Sequence, residues 1–202
     1  MTDRPSYILF ITDQQRYDHL GCNGHPVLRT PHIDAIAAEG VSYDRFYVAS
    51  PVCMPNRASL MTCRMPSSHG VRSLGVPLDH ENVTLVELLR AAGYDTALIG
   101  KSHLQNVSEW PVQIEPPTGR EGFATPPDEL GEAVRSDLDG DSYQYERQKF
   151  YLQDDPQVPL PFYGFDKYIS VLRHGFNTGG NHELHVKDVA PEVHALRSRD
   201  IQ

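Results

Sequence analysis

The sequence of 202 residues contains only three cysteines, Cys22, Cys53 and Cys63, and such a sparse, odd set argues against a disulfide framework. No stretch approaches the roughly 18 consecutive apolar residues of a membrane-spanning helix. No basic stripe of the kind that binds nucleic acid is present. The first five residues lack the basic start and apolar run of a secretory signal. We therefore expect a reduced, cytoplasmic protein that neither spans a membrane nor binds nucleic acid.

Acidic residues outnumber basic residues by 27 to 18, and most of the excess lies in one stretch. Residues 121–155 hold ten acidic and three basic side chains, whereas the first 103 residues hold ten and nine. We interpret the acidic stretch as a solvated surface excursion, which is what a run of like charge usually is.

Apolar runs alternate with helical patterns along the first part of the chain. Strands are predicted at three of these runs: Tyr7–Ile11, Val41–Val48 and Tyr94–Ile99. One helix is predicted from Thr30 to Gly40 and another after Thr84, where Glu87 completes a capping box. Residues 51–57 are predicted to form a turn before a helix that begins at Ala58. Such alternation predicts an α/β fold with a mostly parallel sheet flanked by helices.

The chain divides into three predicted segments. Residues 1–104 form the α/β core, and residues 105–161 form a proline-rich, acidic excursion with one short helix near 141–151. Residues 162–202 supply a return strand within 165–172 and a glycine-rich tail, which leaves the core incomplete.

Reactive side chains follow three of the predicted strands, at the sheet edge where α/β proteins bind ligands. They are Asp13, Cys53, Arg57, Lys101 and His103. Taken singly, each has an ordinary alternative, such as a helix cap for Asp13 or a small buried hydrophobe for Cys53. Their shared placement favours a site for an anionic, oxygen-rich group, because cationic side chains neutralise the anion and a carboxylate holds a divalent metal.

The segment Cys53-Met54-Pro55-Asn56-Arg57 resembles the C-x-P-x-R motif of the sulfatases. Further segments resemble sulfatase segments in the same order: 10–16, 30–34, 50–62, 99–104 and 161–166. The pattern is most similar to the branch that contains phosphonate monoester hydrolases and related arylsulfatases. The resemblance implies an alkaline-phosphatase-like fold, here truncated.

The resemblance also implies an unusual chemistry for Cys53. In the family this cysteine is oxidised to formylglycine, whose hydrate attacks the sulfur or phosphorus of a small anionic ester beside a divalent metal. It implies that Asp13, Gln14 and the modified Cys53 hold the metal, expected to be Ca²⁺ with Mn²⁺ or Mg²⁺ as alternatives. Arg57 matches the residue that holds the hydrate. Lys101 matches an anion-binding residue, and His103 matches a hydrogen-bond partner of the hydrate.

Three features depart from the family pattern. Cys63 stands where the family has glycine, so we expect a clash with close helix packing and poorer conversion of Cys53. Leu74 replaces a polar residue expected near the substrate. The family's second half supplies a leaving-group histidine, an Asp with a following His or Asn, and a second lysine, and these motifs are missing.

The sequence therefore leaves three interpretations open. The first is a sulfuric ester, phosphonate or phosphate monoester hydrolase. The second is a catalytically incompetent fragment, or half of a split enzyme whose second polypeptide supplies the missing half. The third is a metal-dependent phosphotransferase of the same superfamily with an unmodified nucleophile. The chain alone is expected to bind metal weakly. The sequence is compatible with both a monomer and an oligomer.

Overall fold

A computed structural model describes residues 4–107 and 141–172 of the chain. The chain forms two compact units, Met1–Tyr47 and Val48–Gln202. Most of the predicted acidic excursion and the whole glycine-rich tail lie outside the described residues. The three predicted segments therefore stay a prediction.

The first unit contains a 3₁₀ turn at Gly21–Asn23 and the helix α1, Pro31–Glu39. Pro31 occupies the first helical turn, where its missing N–H is not needed, and Gly40 follows the last residue. The hydroxyl of Thr30 donates to the Asp34 carboxylate at 2.7 Å and accepts from the Gly21 N–H at 2.8 Å. The helix predicted between Thr30 and Gly40 is confirmed.

The strands predicted at Tyr7–Ile11 and Val41–Val48 are wrong. Both stretches are irregular in the described residues, and their side chains are exposed, with Ile8 at 89% and Phe10 at 91%. A buried strand needs hydrogen-bonded neighbours and apolar cover on both faces. Residues 4–47 form no strand that could supply either.

The second unit contains the remaining helices and strands. The helices are α2 (Cys53–Thr62), α3 (Pro66–His69) and α4 (Leu85–Ala91), with 3₁₀ turns at Asp141–Tyr143 and Gln148–Leu152. The strand β1, Ala97–Gly100, pairs in parallel with β2, Lys167–Ser170, in the register Ala97 to Lys167 and Gly100 to Ser170. This pairing confirms the return strand and the predicted α/β class with parallel strands.

The helix α2 begins five residues earlier than predicted, at Cys53. The sequence pattern around Pro55 is typical of a turn, but Pro55 stands in the first helical turn. There a residue without an N–H donor costs no hydrogen bond. The predicted turn over residues 51–57 is therefore wrong from Cys53 onward.

The capping box of α4 is formed as predicted. The Thr84 N–H donates to Glu87 Oε2 at 2.7 Å, and the Glu87 N–H donates to Thr84 Oγ1 at 3.1 Å. The Thr84 hydroxyl also donates to the Tyr163 carbonyl at 3.0 Å, which ties the start of α4 to the chain before β2.

One hydrophobic core joins the helices to the strands in the second unit. Its buried members are Met54, Ala58, Val71, Leu78, Leu104, Phe162, Tyr163 and Tyr168. The cluster includes side chains from α2 and from the chain that follows β1. The same core therefore holds both segments that carry the predicted site residues of this unit. Within the described ranges, no helix is long and apolar enough to cross a membrane.

Candidate active site

The predicted nucleophile Cys53 is the first residue of α2, and its side chain is half-buried. The preceding Val52 is extended and provides no side-chain cap. The first N–H groups of a helix have no partner within it, and they carry the positive end of the helix dipole. The start of α2 is therefore electrostatically suited to a negative group beside Cys53.

The residue next to Cys53 anchors this helix start in the core. Met54 is 1% exposed, and its sulfur accepts from the Gly75 N–H at 3.0 Å. Cys53 and Arg57 are four residues apart and share one helix face, whereas Met54 and the buried Ala58 share the adjacent one. Burial of one face thus directs Cys53 and Arg57 toward the same side of α2.

Arg57 links α2 to the end of β1. Its Nη1 donates to the Lys101 carbonyl oxygen at 2.5 Å, a charge-assisted hydrogen bond between residues that lie 44 positions apart. Both side chains are half-buried. A guanidinium stays charged in proteins. This hydrogen bond therefore fixes a positive charge between the start of α2 and the end of β1.

His103 follows β1 in a bent, buried loop. Its φ is 52°, in the left-handed region that non-glycine residues seldom occupy, and its side chain is 5% exposed. Ser102, Leu104 and Gln105 are buried around it. A loop that holds a histidine in this conformation needs fixed partners, since the conformation itself costs free energy.

The main partner of this loop is Glu146, which no sequence motif marks. Its carboxylate accepts from the Ser102 hydroxyl, from the His103 N–H at 2.6 Å and from the Gln105 N–H, and it is 1% exposed. Burial raises the pKa of Glu146, while the hydrogen bonds from Ser102 and from the loop backbone oppose that rise.

The interpretation of residues 121–155 as a solvated excursion is wrong at Glu146. A signal was available, because aromatic residues surround this carboxylate in the sequence: Tyr143, Tyr145, Phe150 and Tyr151. The last two are buried in a second cluster with Leu172. An acidic residue amid buried aromatic residues is a candidate for an internal hydrogen-bonding role rather than a surface one.

The predicted metal ligands Asp13 and Gln14 belong to the first unit. Gln14 has a φ of 54°, and both residues are exposed. Their carboxylate and amide oxygens have the right chemistry for Ca²⁺, which takes six to eight oxygens. Among residues 4–107 and 141–172, no three His, Cys, Asp or Glu side chains form a metal cluster. The donors present therefore fit the cation in kind but not in number.

Cys63 does not clash with helix packing, so that expectation is wrong. It ends α2 with φ 56° and ψ 27°, and its side chain is exposed. A glycine at this position relieves backbone strain rather than crowding, because the left-handed conformation disfavours a Cβ. Leu74, the other departure in this region, is 54% exposed.

A buried Ser–His pair joins α2 to α3 and is structural. His69 Nδ1 accepts from the Val71 N–H at 3.2 Å, so the ring proton lies on Nε2, which donates to Ser59 Oγ at 2.9 Å. In this tautomer His69 cannot take a proton from Ser59. Burial lowers the pKa of His69, which favours the same neutral ring.

Comparison with known proteins identifies the family. The sulfatase family model matches residues 5–155, which is most of the chain. The chain therefore belongs to the sulfatase family. The resemblance carried by the C-x-P-x-R segment is confirmed.

Two named relatives agree with the family model. An ulvan-active sulfatase of Formosa agariphila is 33% identical over 155 residues, covering 77% of this chain and 28% of that protein. Human arylsulfatase A is 41% identical over 108 residues, covering 50% of this chain and 21% of that protein. The solved structure of Ps i-CgsB covers 77% of this chain and 25% of its own, with 26% identity and a TM-score of 0.46. The chain thus spans less than a third of the length of these proteins.

Proposed function

We propose that the chain carries one wall of the active site of a hydrolase for sulfuric esters, or for phosphonate or phosphate monoesters. The proposal places the nucleophile at position 53, as a formylglycine derived from Cys53, and a divalent metal at Asp13 and Gln14. The observation that carries it is the hydrogen bond from the Arg57 guanidinium to the Lys101 carbonyl, which joins the helix that begins at Cys53 to the loop after β1 in a chain of the sulfatase family.

The residues of the second unit have distinct roles in this proposal. The start of α2 supplies backbone N–H groups and a positive dipole end to the oxygens of the ester. Arg57 and Lys101 neutralise the charge that develops on those oxygens, and preorganised charge of this kind usually contributes more to catalysis than any other single effect. His103 would hydrogen-bond the hydrate formed at position 53, as the matching residue does in the family. The aromatic and aliphatic side chains beneath these residues, Met54 and Leu104 among them, keep the donors rigid.

A divalent cation would be held by Asp13, Gln14 and the group at position 53. Its chemistry would be to draw negative charge from the ester oxygens and to make a bound hydroxyl more acidic. Ca²⁺ suits these oxygen donors best, with Mn²⁺ or Mg²⁺ as alternatives.

Mass spectrometry of the peptide that contains Cys53 tests the proposal. Expression in a host that matures sulfatases should give a peptide about 18 Da lighter than the thiol form. The variant Cys53→Ser in the same host controls for other losses from the peptide, and it should show none. An unmodified thiol at full occupancy in wild-type protein would contradict the formylglycine mechanism.

A second candidate is a non-catalytic remnant or half of a split enzyme, since the chain covers only 28% of the ulvan-active sulfatase. Here a second polypeptide supplies the remaining metal ligands and the leaving-group histidine. Coexpression with downstream coding sequence, followed by co-purification and an assay with a chromogenic sulfate ester, separates the two. Activity that arises only in the coexpressed sample favours the split enzyme.

A further inference from the structure

Glu146 lies far along the chain from the site residues, yet its side chain is enclosed by their loop. Oε1 accepts from the Ser102 hydroxyl and the His103 N–H, and Oε2 accepts from the Gln105 N–H. The backbone of Leu104 interacts with the same carboxylate. Three successive backbone groups thus converge on one anion, which is the arrangement of an anion-binding backbone nest.

The contacts from the other side fix the carboxylate in place. The Tyr168 hydroxyl, on β2, lies 2.7 Å from Ser102 Oγ and 3.5 Å from Glu146 Oε1. Next to Glu146 in the sequence, the Tyr145 N–H donates to the side-chain oxygen of Gln105 at 2.9 Å. Both β2 and the segment around residue 146 are hydrogen-bonded to loop 101–105. The loop therefore cannot change its conformation without breaking several buried hydrogen bonds.

We propose that Glu146 is a positioning residue for the anion-binding loop 101–105. The inference rests on the proposed function, in which Lys101 binds the substrate anion and His103 hydrogen-bonds the nucleophile. The loop begins at the Lys101 carbonyl, fixed by Arg57, and the carboxylate fixes it again at His103 and Gln105. Clamped at both ends, the backbone holds His103 in its left-handed conformation and aims the side chains of Lys101 and His103.

A general contribution to stability is the competing explanation, and the contact pattern argues against it. Three hydrogen bonds of Glu146 end on residues 102–105 of the loop, and none of those three reaches α2, α3 or α4. A carboxylate accepts without donating, whereas glutamine offers one acceptor oxygen and an NH₂ that would face N–H groups. Glu146→Gln therefore keeps the shape of the side chain, but its single oxygen can accept at only one of the two positions, so the hydrogen bond to either His103 or Gln105 is lost.

The experiment uses the ¹⁵N-labelled 202-residue chain and inorganic sulfate as the probe. Glu146→Gln should accelerate exchange of the His103 or Gln105 amide about tenfold or more relative to the amides of β1, because local opening sets the exchange rate. The same variant should weaken sulfate binding about tenfold. Glu146→Asp keeps the charge and should restore part of both. Thr96→Val is the matched control, since it removes the hydrogen bonds of a buried hydroxyl before β1 with Gly164 and Asp166 without touching the loop.

The outcomes separate this proposal from the proposed function. Wild-type sulfate affinity and unchanged amide exchange in Glu146→Gln would overturn the positioning role. Equal weakening by Thr96→Val would do the same, because it would show a general stability effect. If wild-type chain fails to bind sulfate, the proposed function fails for this chain, and amide exchange alone decides on Glu146. If Glu146→Gln does not fold, Ser102→Ala removes one contact and should loosen the same amides about threefold; no loosening would overturn the proposal.

Discussion

The guanidinium of Arg57 donates to the carbonyl oxygen of Lys101 across 2.5 Å, and so joins the nucleophile helix to the end of β1. A hydrogen bond from a charged donor contributes about 1.5–3 kcal/mol, and this one is partly buried. It also places two of the predicted site residues in contact, although they are 44 positions apart.

Replacing Arg57 tests this contact. Arg57→Ala should destabilise the second unit by about 1.5–3 kcal/mol and weaken sulfate binding about tenfold, because it leaves the Lys101 carbonyl without this donor and removes a positive charge. Urea unfolding and sulfate titration measure the two effects. Arg90→Ala removes an exposed ion pair with Asp166 and should cost under about 1 kcal/mol with no change in sulfate affinity. Similar sulfate affinities for both variants would contradict the assignment of Arg57.

Cys63→Gly should stabilise the protein. The residue ends α2 at φ 56°, and a left-handed conformation costs a side chain roughly 1–2 kcal/mol that glycine avoids. A gain of about 1 kcal/mol should raise Tm by about 2–4 °C in a chain of this size. Cys63→Ala removes the thiol and keeps the Cβ, so it should bring no gain. Equal Tm values for the glycine and alanine variants would show that backbone strain is not the cause.

The stability of the protein should fall in mild acid because of His69. Burial lowers the pKa of this ring below its ordinary value of 6.5, so the unfolded chain binds its proton at a higher pH than the folded chain does. The contribution is therefore fully present above about pH 6.5 and is lost as the pH falls through the folded pKa. Urea midpoints between about pH 8 and pH 5 measure it.

His69→Gln is the matching variant, since it removes the titrating ring from between Ser59 and Val71. It should be less stable than wild type at the alkaline end of this range and should lose less stability on acidification. Asp166 titrates in a lower window, because its bond with Arg90 lowers the pKa of that carboxyl below 3.8. A pH dependence over the same range that is unchanged in His69→Gln would exclude His69 as its source.

Calcium should bind the isolated chain weakly. Asp13 and Gln14 offer two oxygen donors, and Ca²⁺ takes six to eight. We expect a Kd of about 1 mM or weaker by calorimetry, and no change in Tm when a chelator is added. Asp13→Asn should abolish what binding there is, whereas Asp18→Asn, at a carboxylate engaged by Arg16, should not. Tight stoichiometric binding to wild-type chain would overturn this expectation.

Local signals in the sequence are sufficient to predict some of the helices and their caps. The capping box of Thr84 and Glu87 and the Thr30-to-Gly40 helix each depend on side chains within one or two turns, so the sequence predicts them well. Pro55 misleads because the same residue type marks both a turn and a first helical turn. The strand at Tyr7–Ile11 fails for a different reason, since a strand forms only with partners that its own sequence does not contain.

The same distinction explains what could be predicted of the candidate site. Cys53, Arg57, Lys101 and His103 stand in recognisable motifs, and the structure joins Arg57 to Lys101. Glu146 stands in no motif, and although neighbouring aromatic residues hint at its burial, its partners His103 and Gln105 lie far along the chain. Hydrogen bonds between residues some 40 positions apart cannot be read from local periodicity, so this part of the site became visible only in three dimensions.

The parallel register of β1 with β2 also sets an order of events during synthesis. Gly100 pairs with Ser170, about 70 residues later, and Glu146 lies between them. A ribosome adds roughly 5–20 residues each second, so the loop after β1 waits on the order of 3–15 seconds for its clamp and its neighbouring strand. The capping box of α4 is complete long before then. During that interval the segment that bears Cys53 has been synthesised and the clamp of loop 101–105 has not, so a partner that must reach Cys53 has those seconds in which to do so.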